Sequence, residues 1–164
     1  QEGEARRVGD TRLRRVDDSH NFTLVCRDLS EVSQYARVSN ADYRLLKANT
    51  PGAYTFILPA TREVPRRLQH PKRKTIGLRV PDHVVAQALL AELNEPLMSS
   101  TLILAGEELP LSDPEEIRHR LEHEVDLVVD GGFCGLEPTT VVELEGGRAT
   151  VARQGKGDNA RFSA

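Results

Sequence analysis

Aromatic side chains make up only 4% of this 164-residue chain, and tryptophan is absent. So few ring planes speak against a protein that stacks the bases of single-stranded nucleic acid, whereas a reader of duplex shape and charge needs few of them. Cysteine is scarce as well. Cys26 and Cys134 lie far apart with no C-x-x-C spacing, which excludes a disulfide framework, and both read as buried thiols rather than reactive ones. No run approaches the ~18 apolar residues of a membrane span. The stretch from Gln1 to Val16 has the arginines of a signal peptide without its apolar centre, so the chain reads as soluble and cytoplasmic, with no membrane partner. Signatures of covalent and P-loop chemistry are missing too: there is no Ser-His-Asp order, no G-x-S-x-G elbow and no Walker lysine loop, and Gly131-Gly132 with Gly135 is too loose for a phosphate fingerprint.

What the chain does have is enough apolar residue, 38%, for one globular domain over its 164 residues, and a charge distribution that its net charge of -3 conceals. Between Arg62 and Arg79 stand Arg62, Arg66, Arg67, Lys72, Arg73, Lys74 and Arg79 against Glu63 alone, a local balance of +6; Glu107 to Asp126 carries -6. Such separation concentrates an anionic ligand on one side of a mildly acidic protein. The plainer alternative is two solvated faces.

Periodicity and punctuation predict strands at 22–26, over "AYTFILP", over "TIGLRVP" and over "PLMSSTLIL", then over "DLVVDGG", "TTVVELEGG" and "RATVARQG", the last two joined as a hairpin across Gly146-Gly147. Helices are expected over "LSEVSQYA", over "NADYRLLKANTPG" with Asn40 as cap, over "DHVVAQALLAEL" with Val84, Ala88, Leu89, Ala91 and Leu93 inward, and over "SDPEEIRHRLEHEV" with Pro114 in its first turn. Strands alternating with helices and ending in a hairpin indicate an α/β or α+β layer structure with a mixed sheet.

"HRLEH", His119 to His123, matches the H-x-x-E-H pattern of one zinc-protease group. With Ile117 set at zero, Leu121 and Val125 fall near about 40° and 80°, and the histidines near about 200° and 240°. They look away from the buried stripe, no third ligand is obvious, and no metal site is assigned. "TTV" at 139–141 puts two hydroxyls at a strand entrance, where they cap a turn or face a pocket. Arg79 is more informative. It ends a strand just before a Pro-Asp turn into a helix, and ligands of open α/β sheets collect outside strand ends. Arg12, Arg14 and Arg153 are also adjacent to strands, and a guanidinium binds two phosphate or carboxylate oxygens at once. The four suggest a polyanion site, with surface pairing to the acids as the alternative.

In fixed order, "NTPGAYTFILPATREVPRRL", "KRKTIGLRVPDH", "PLMSSTLIL", "DLVVDGGFCGLEPTTVVEL" and "VARQGKGD" resemble the YciO/YrdC family, most closely its YciO branch, over about Arg12 to Asp158. The resemblance implies a single YrdC-like domain: a twisted mixed sheet with flanking helices around a positively charged cavity. For the synthase branch it implies that ATP, carrying Mg²⁺, L-threonine and bicarbonate become threonylcarbamoyl-adenylate and pyrophosphate, the adenylate feeding threonylcarbamoyl modification of adenosine in tRNA. It also implies binding of double-stranded RNA.

Carried over by residue, the family's K-x-R falls on Arg12 and Arg14, with arginine in the lysine's place, and P-G-x-x-T is intact at Pro51, Gly52 and Thr55. R-x-P is intact at Arg79 and Pro81; S-x-N falls on Thr101 and Ile103, so the amide is lost; S-T-V reads Thr139, Thr140, Val141; and the late arginine is Arg153. The P-T-[DE]-[ST]-x-Y segment with which family chains open is unmatched, so the chain is expected to be truncated at its start. The implied roles are catalysis by Arg12, Arg14 and Arg79, with ATP and threonine held by Thr55, Thr101, Thr139 and Arg153. Lys72, Arg73 and Lys74 are expected to form an RNA-binding rim to a site floored by Arg79. The altered K-x-R and S-x-N elements favour an alternative: a duplex-RNA- or tRNA-binding YciO-type protein with weak or no synthase activity.

Overall fold

A computed structural model describes residues 22–162. They fall into two compact units, one of residues 22–100 with 137–162, the other of residues 101–136. The larger unit is built on a mixed, open sheet of β1 (Thr23–Val25), β2 (Tyr54–Pro59), β3 (Thr75–Arg79), β4 (Leu97–Ser99), β5 (Thr140–Glu145) and β6 (Arg148–Arg153), in the order β4-β1-β3-β2-β5-β6. β1 runs parallel to β3 and β2 parallel to β5; the other three neighbouring pairs are antiparallel. Period-two alternation decides which side is core: Leu24, Tyr54, Phe56, Leu58, Ile76, Leu78, Val142 and Leu144 are buried in one cluster. Full burial of each such aliphatic or Phe side chain stabilises the fold by about 1.5–3 kcal/mol before entropy is counted.

Two helices add to that core, Val32 and Ala36 from α1 (Leu29–Tyr35) and its end, and Leu46 from α2 (Asn40–Asn49); Cys26, Ala60, Val64, Val80 and Phe162 complete it. Asp28 caps α1 by accepting from the Glu31 N–H at 2.9 Å. The cap of α2 is Ser39, one residue before the expected Asn40, because Ser39 and Asp42 form a reciprocal capping box. Asp42 goes further: its Oδ1 accepts the Gly147 N–H at 2.8 Å, tying the helix to the β5–β6 turn. Gly147 is in the left-handed region at φ 86°, and a Cβ there would stand 2.6 Å from Ala41 Cβ, so only glycine fits.

The helix α3 (Val84–Leu93) forms where expected but turns a different face inward. Val84 is 82% exposed, Leu89 and Leu93 are exposed, and Leu90 is buried at 1%. Hydrogen bonds rather than hydropathy set this rotation. Gln87 Nε2 donates to Pro81 O at 2.8 Å and Arg27 O at 3.3 Å, which holds Gln87 and the buried Leu90 on the inward face, and at the exposed C-cap the Asn94 amide oxygen accepts from Arg27 Nη1 at 3.3 Å.

In the smaller unit, Asp113 caps α4 (Pro114–Leu121), accepting from Glu115 N at 3.1 Å with Pro114 at the first position. Leu121 is buried, and His119 and His123 are exposed as the helical angles require. Arg120 ties Glu107 at 2.6 Å and Glu116 at 3.6 Å, so part of the acidic tract is paired within its own unit. The strand expected over 126–132 does not form, and Leu127 and Val129 are exposed. β4 ends at Ser99, and 101–104 has no regular structure. Cys134 is exposed, contrary to expectation; Cys26 is buried, which with Glu31 and Asp28 nearby pushes its thiol up to about 12. Among the described residues no helix is long and apolar enough to cross a membrane.

Candidate functional site

Strand direction sorts the polar residues of the larger unit onto two ends of its sheet. At one end β1 and β3 finish, β2 and β5 begin and β6 finishes; this end carries Arg79, Thr55, Thr139 and Arg153. At the other lie the start of β3, the end of β2 and the β5–β6 turn. Lys72, Arg73 and Lys74 precede β3, about five residues and roughly 16 Å along the strand from Arg79. The expected rim and floor of one anion site are therefore at opposite ends of the same strand. Arg73 is paired with Glu143 at 3.2 Å, and Lys72 and Lys74 are exposed.

At the first end, alternation turns Thr55, Gly77, Arg79 and Val141 away from the core. A Cβ on Gly77 would stand 3.3 Å from Thr55 Cγ2 and 3.4 Å from Thr23 Oγ1, which confirms the shared face. The Thr55 and Thr139 hydroxyls are 2.7 Å apart and hydrogen-bonded. Arg153 would belong to the core side by simple alternation, two residues beyond Val151, which packs on the core. A β-bulge intervenes: Val151 pairs with Val142 but Arg153 with Val141, and the extra residue turns the guanidinium to the Thr139 side, where Nη2 donates to Thr139 O at 2.9 Å.

Arg79 is half-buried, and among the described residues its Nε is the buried side-chain polar atom without a hydrogen-bond partner. Burial alone moves its pKa, downward from the usual guanidinium value. Leaving such a donor buried and unpaired costs about 1–3 kcal/mol, more when the group is charged, so it marks a place where an acceptor belongs. A cation at the same strand end as two hydroxyls and a second arginine can orient and neutralise phosphate or carboxylate oxygens.

A cavity of about 290 Å³ lies at the other end, lined by Arg37, Ser39, Asp42, Pro59 and Glu145 among others. Its buried carboxylate, Asp42, has its partners inside the fold: Ser39 Oγ at 2.7 Å, Ser39 N at 3.4 Å and Gly147 N. The cavity is thus a by-product of the hairpin anchor, and the chemistry points to the Arg79 end. Arg12 and Arg14 lie outside the described residues, and Thr101 is exposed in the smaller unit. Among the described residues no group of three or more His, Cys, Asp or Glu could hold a metal ion. From sequence, Thr140 is only the second hydroxyl of "TTV", without a role of its own, and the 155–158 segment has none. The local signals are T-T-V at 139–141 for Thr140 and the G-x-G at 155–157 for the segment.

An open mixed α/β sheet with an anion-oriented strand end is the class of protein these features define. The Sua5/yciO/yrdC family model, described as "Telomere recombination", matches residues 10–155, and the chain belongs to that family. It is 57% identical over 151 residues to YciO of Escherichia coli strain K12, spanning 92% of this chain and 73% of that protein. The crystal structure of E. coli YciO superposes with a TM-score of 0.88 at 54% identity, covering 96% of this chain and 76% of that one. A threonylcarbamoyl-AMP synthase of Bacillus subtilis is 33% identical over 92 residues, 56% of this chain and 26% of the synthase. Pyrococcus abyssi Sua5 in complex with L-threonine shares the fold, with a TM-score of 0.81 at 19% identity over 94% of this chain and 45% of that one.

Proposed function

We propose that this chain acts as an L-threonylcarbamoyladenylate synthase-like protein in the cytoplasm, using ATP, L-threonine and bicarbonate in support of tRNA threonylcarbamoyladenosine formation. The observation that carries the reading is the half-buried Arg79 with its unpartnered Nε, beside the Thr55–Thr139 hydroxyl pair and Arg153 at one strand end. The likeness to the Bacillus synthase supports it.

In this reading the threonine amine takes up carbon dioxide as a carbamate, a carbamate oxygen attacks the α-phosphorus, and pyrophosphate leaves with the electron pair of the broken P–O bond. No enzyme nucleophile is needed; positioning and charge neutralisation suffice. Arg79 neutralises phosphate or carboxylate oxygens. Thr55 and Thr139 supply hydroxyls, Arg153 holds the nucleotide, and Arg12 and Arg14 take the triphosphate and the carbamate. Mg²⁺ enters on the triphosphate.

A second reading is duplex-RNA binding with weak or no turnover. It is favoured by the exposed Lys72 and Lys74 at the far end of β3, and by Ile103 where the family's S-x-N element has an amide. The test is a product assay by mass spectrometry with ATP, Mg²⁺, bicarbonate and L-threonine, beside Arg79→Ala. Adenylate that disappears in the variant sustains the first reading. No adenylate, together with duplex-RNA binding that weakens with salt and with loss of Lys72 and Lys74, selects the second. Neither product nor RNA binding overturns both.

A further inference from the structure

After β6 the chain does not leave the sheet but folds back across the start of β5. Thr140, fully buried at 0% exposure, is the point where this return is held. Its hydroxyl donates to Gly157 O at 2.6 Å and accepts the Gly155 N–H at 2.9 Å. Two further bonds run alongside, Lys156 N–H to Pro138 O at 2.9 Å and Tyr54 Oη–H to Asp158 O at 3.0 Å. The approach leaves no room for side chains: a Cβ on Gly155 would press on the Pro138 carbonyl, and one on Gly157 would stand 2.5 Å from Tyr54 Cε1. The clasp therefore holds Pro138 and Thr140, which stand on either side of Thr139 in the chain, and it is Thr139 whose hydroxyl meets Thr55 and whose carbonyl receives Arg153.

We propose that Thr140 is a positioning residue. Its hydroxyl, used once as donor and once as acceptor, locks the Gly155–Asp158 return onto the β5 entrance and so fixes where Thr139 and Arg153 present their polar groups at the strand end that also carries Arg79. A hydroxyl does both tasks at one buried atom; a valine of similar shape does neither and strands a part-buried N–H and a buried C=O. The consequence for turnover rests on the synthase reading above; the consequence for geometry does not.

The test compares Thr140→Val, Thr140→Ser and Tyr54→Phe with the parent chain. It uses amide hydrogen exchange at Gly155, NMR signals of the Thr139 methyl and the Arg153 side chain, and steady-state kinetics with ATP and L-threonine. The expected result is loss of Gly155 protection and displaced Thr139 and Arg153 signals in Thr140→Val. kcat/KM should then fall about a hundredfold, the scale of an ångström misplacement, and Thr140→Ser should restore all of these. Tyr54→Phe keeps the ring and removes one clasp bond, and should shift the same signals less; it also decides the matter should Thr140→Val fail to fold. Unmoved Thr139 and Arg153 signals in a folded Thr140→Val chain, or in Tyr54→Phe when the valine variant is unfolded, overturn the proposal. If the parent makes no adenylate, the synthase reading falls and those signals alone decide the positioning role.

Discussion

At the hairpin end of the sheet a buried carboxylate, Asp42, receives hydrogen bonds from three donors. At the strand end a half-buried guanidinium, Arg79, has an Nε with no partner. Both take charge away from water, yet only the first is compensated inside the fold. A buried charge whose partners are all intramolecular holds structure together; one kept without them costs stability that folding alone does not explain. The difference separates an anchor from a site within one sheet.

The comparison breaks most visibly at Arg79. Replacing it with methionine removes the unpaired donor while keeping most of the apolar stem, so stability in urea should hold within about 1 kcal/mol or rise. Adenylate formation should fall a hundred- to a thousandfold, about the effect of losing one preorganised charge-stabilising donor. A variant that unfolds easily yet keeps its activity would make Arg79 a structural residue. The mirror experiment is Asp42→Ala. It should cost about 2–3 kcal/mol of unfolding free energy through the lost cap and hairpin bonds, while each folded molecule keeps its affinity for ATP by calorimetry. Weaker nucleotide binding at full folding would erase the distinction between the ends.

A smaller effect is expected from Arg73→Ala. The Arg73–Glu143 pair is largely open to solvent, with side chains 66% and 39% exposed, so its loss should change stability by less than about 1 kcal/mol. Duplex-RNA affinity, where present, should drop with a shallower salt slope. Cys26 provides the finest probe, because its N–H bonds to the Arg79 carbonyl at 2.8 Å. Its thiol pKa is raised in the folded chain to about 12 from an ordinary 9.0, so the folded state holds a proton that the unfolded state releases. The contribution is intact below pH 9 and stability declines as pH rises from about 9 to 12. Cys26→Ala should flatten that decline in denaturant titrations, and a thiol reagent at pH 8 should label Cys134 at once and Cys26 only on unfolding.

Some of this was legible in the chain itself. The hairpin of β5 and β6 follows from period-two patterning around Gly146-Gly147, and α4 from Asp113-Pro114, because both signals act within a few residues. The fragment "DLVVDGG" misled because β-type composition makes a strand only where another strand offers its edge. The face of α3 misled because Gln87, reaching Pro81 O and Arg27 O, holds Leu90 inward in place of Leu89 and Leu93. The arginine inventory was legible; its partition was not.

Sequence by itself determined the order of strands and helices apart from "DLVVDGG", the family motifs at Pro51, Arg79 and Thr139, and the concentration of cations between Arg62 and Arg79, all of them matters of local spacing. Tertiary structure decided that Lys72–Lys74 and Arg79 stand at opposite ends of a strand, that a bulge turns Arg153 toward Thr139, and that Thr140 rather than its neighbour is the buried latch. These rest on pairings between residues tens of positions apart, whose register is fixed only when the core face of every strand is buried at once.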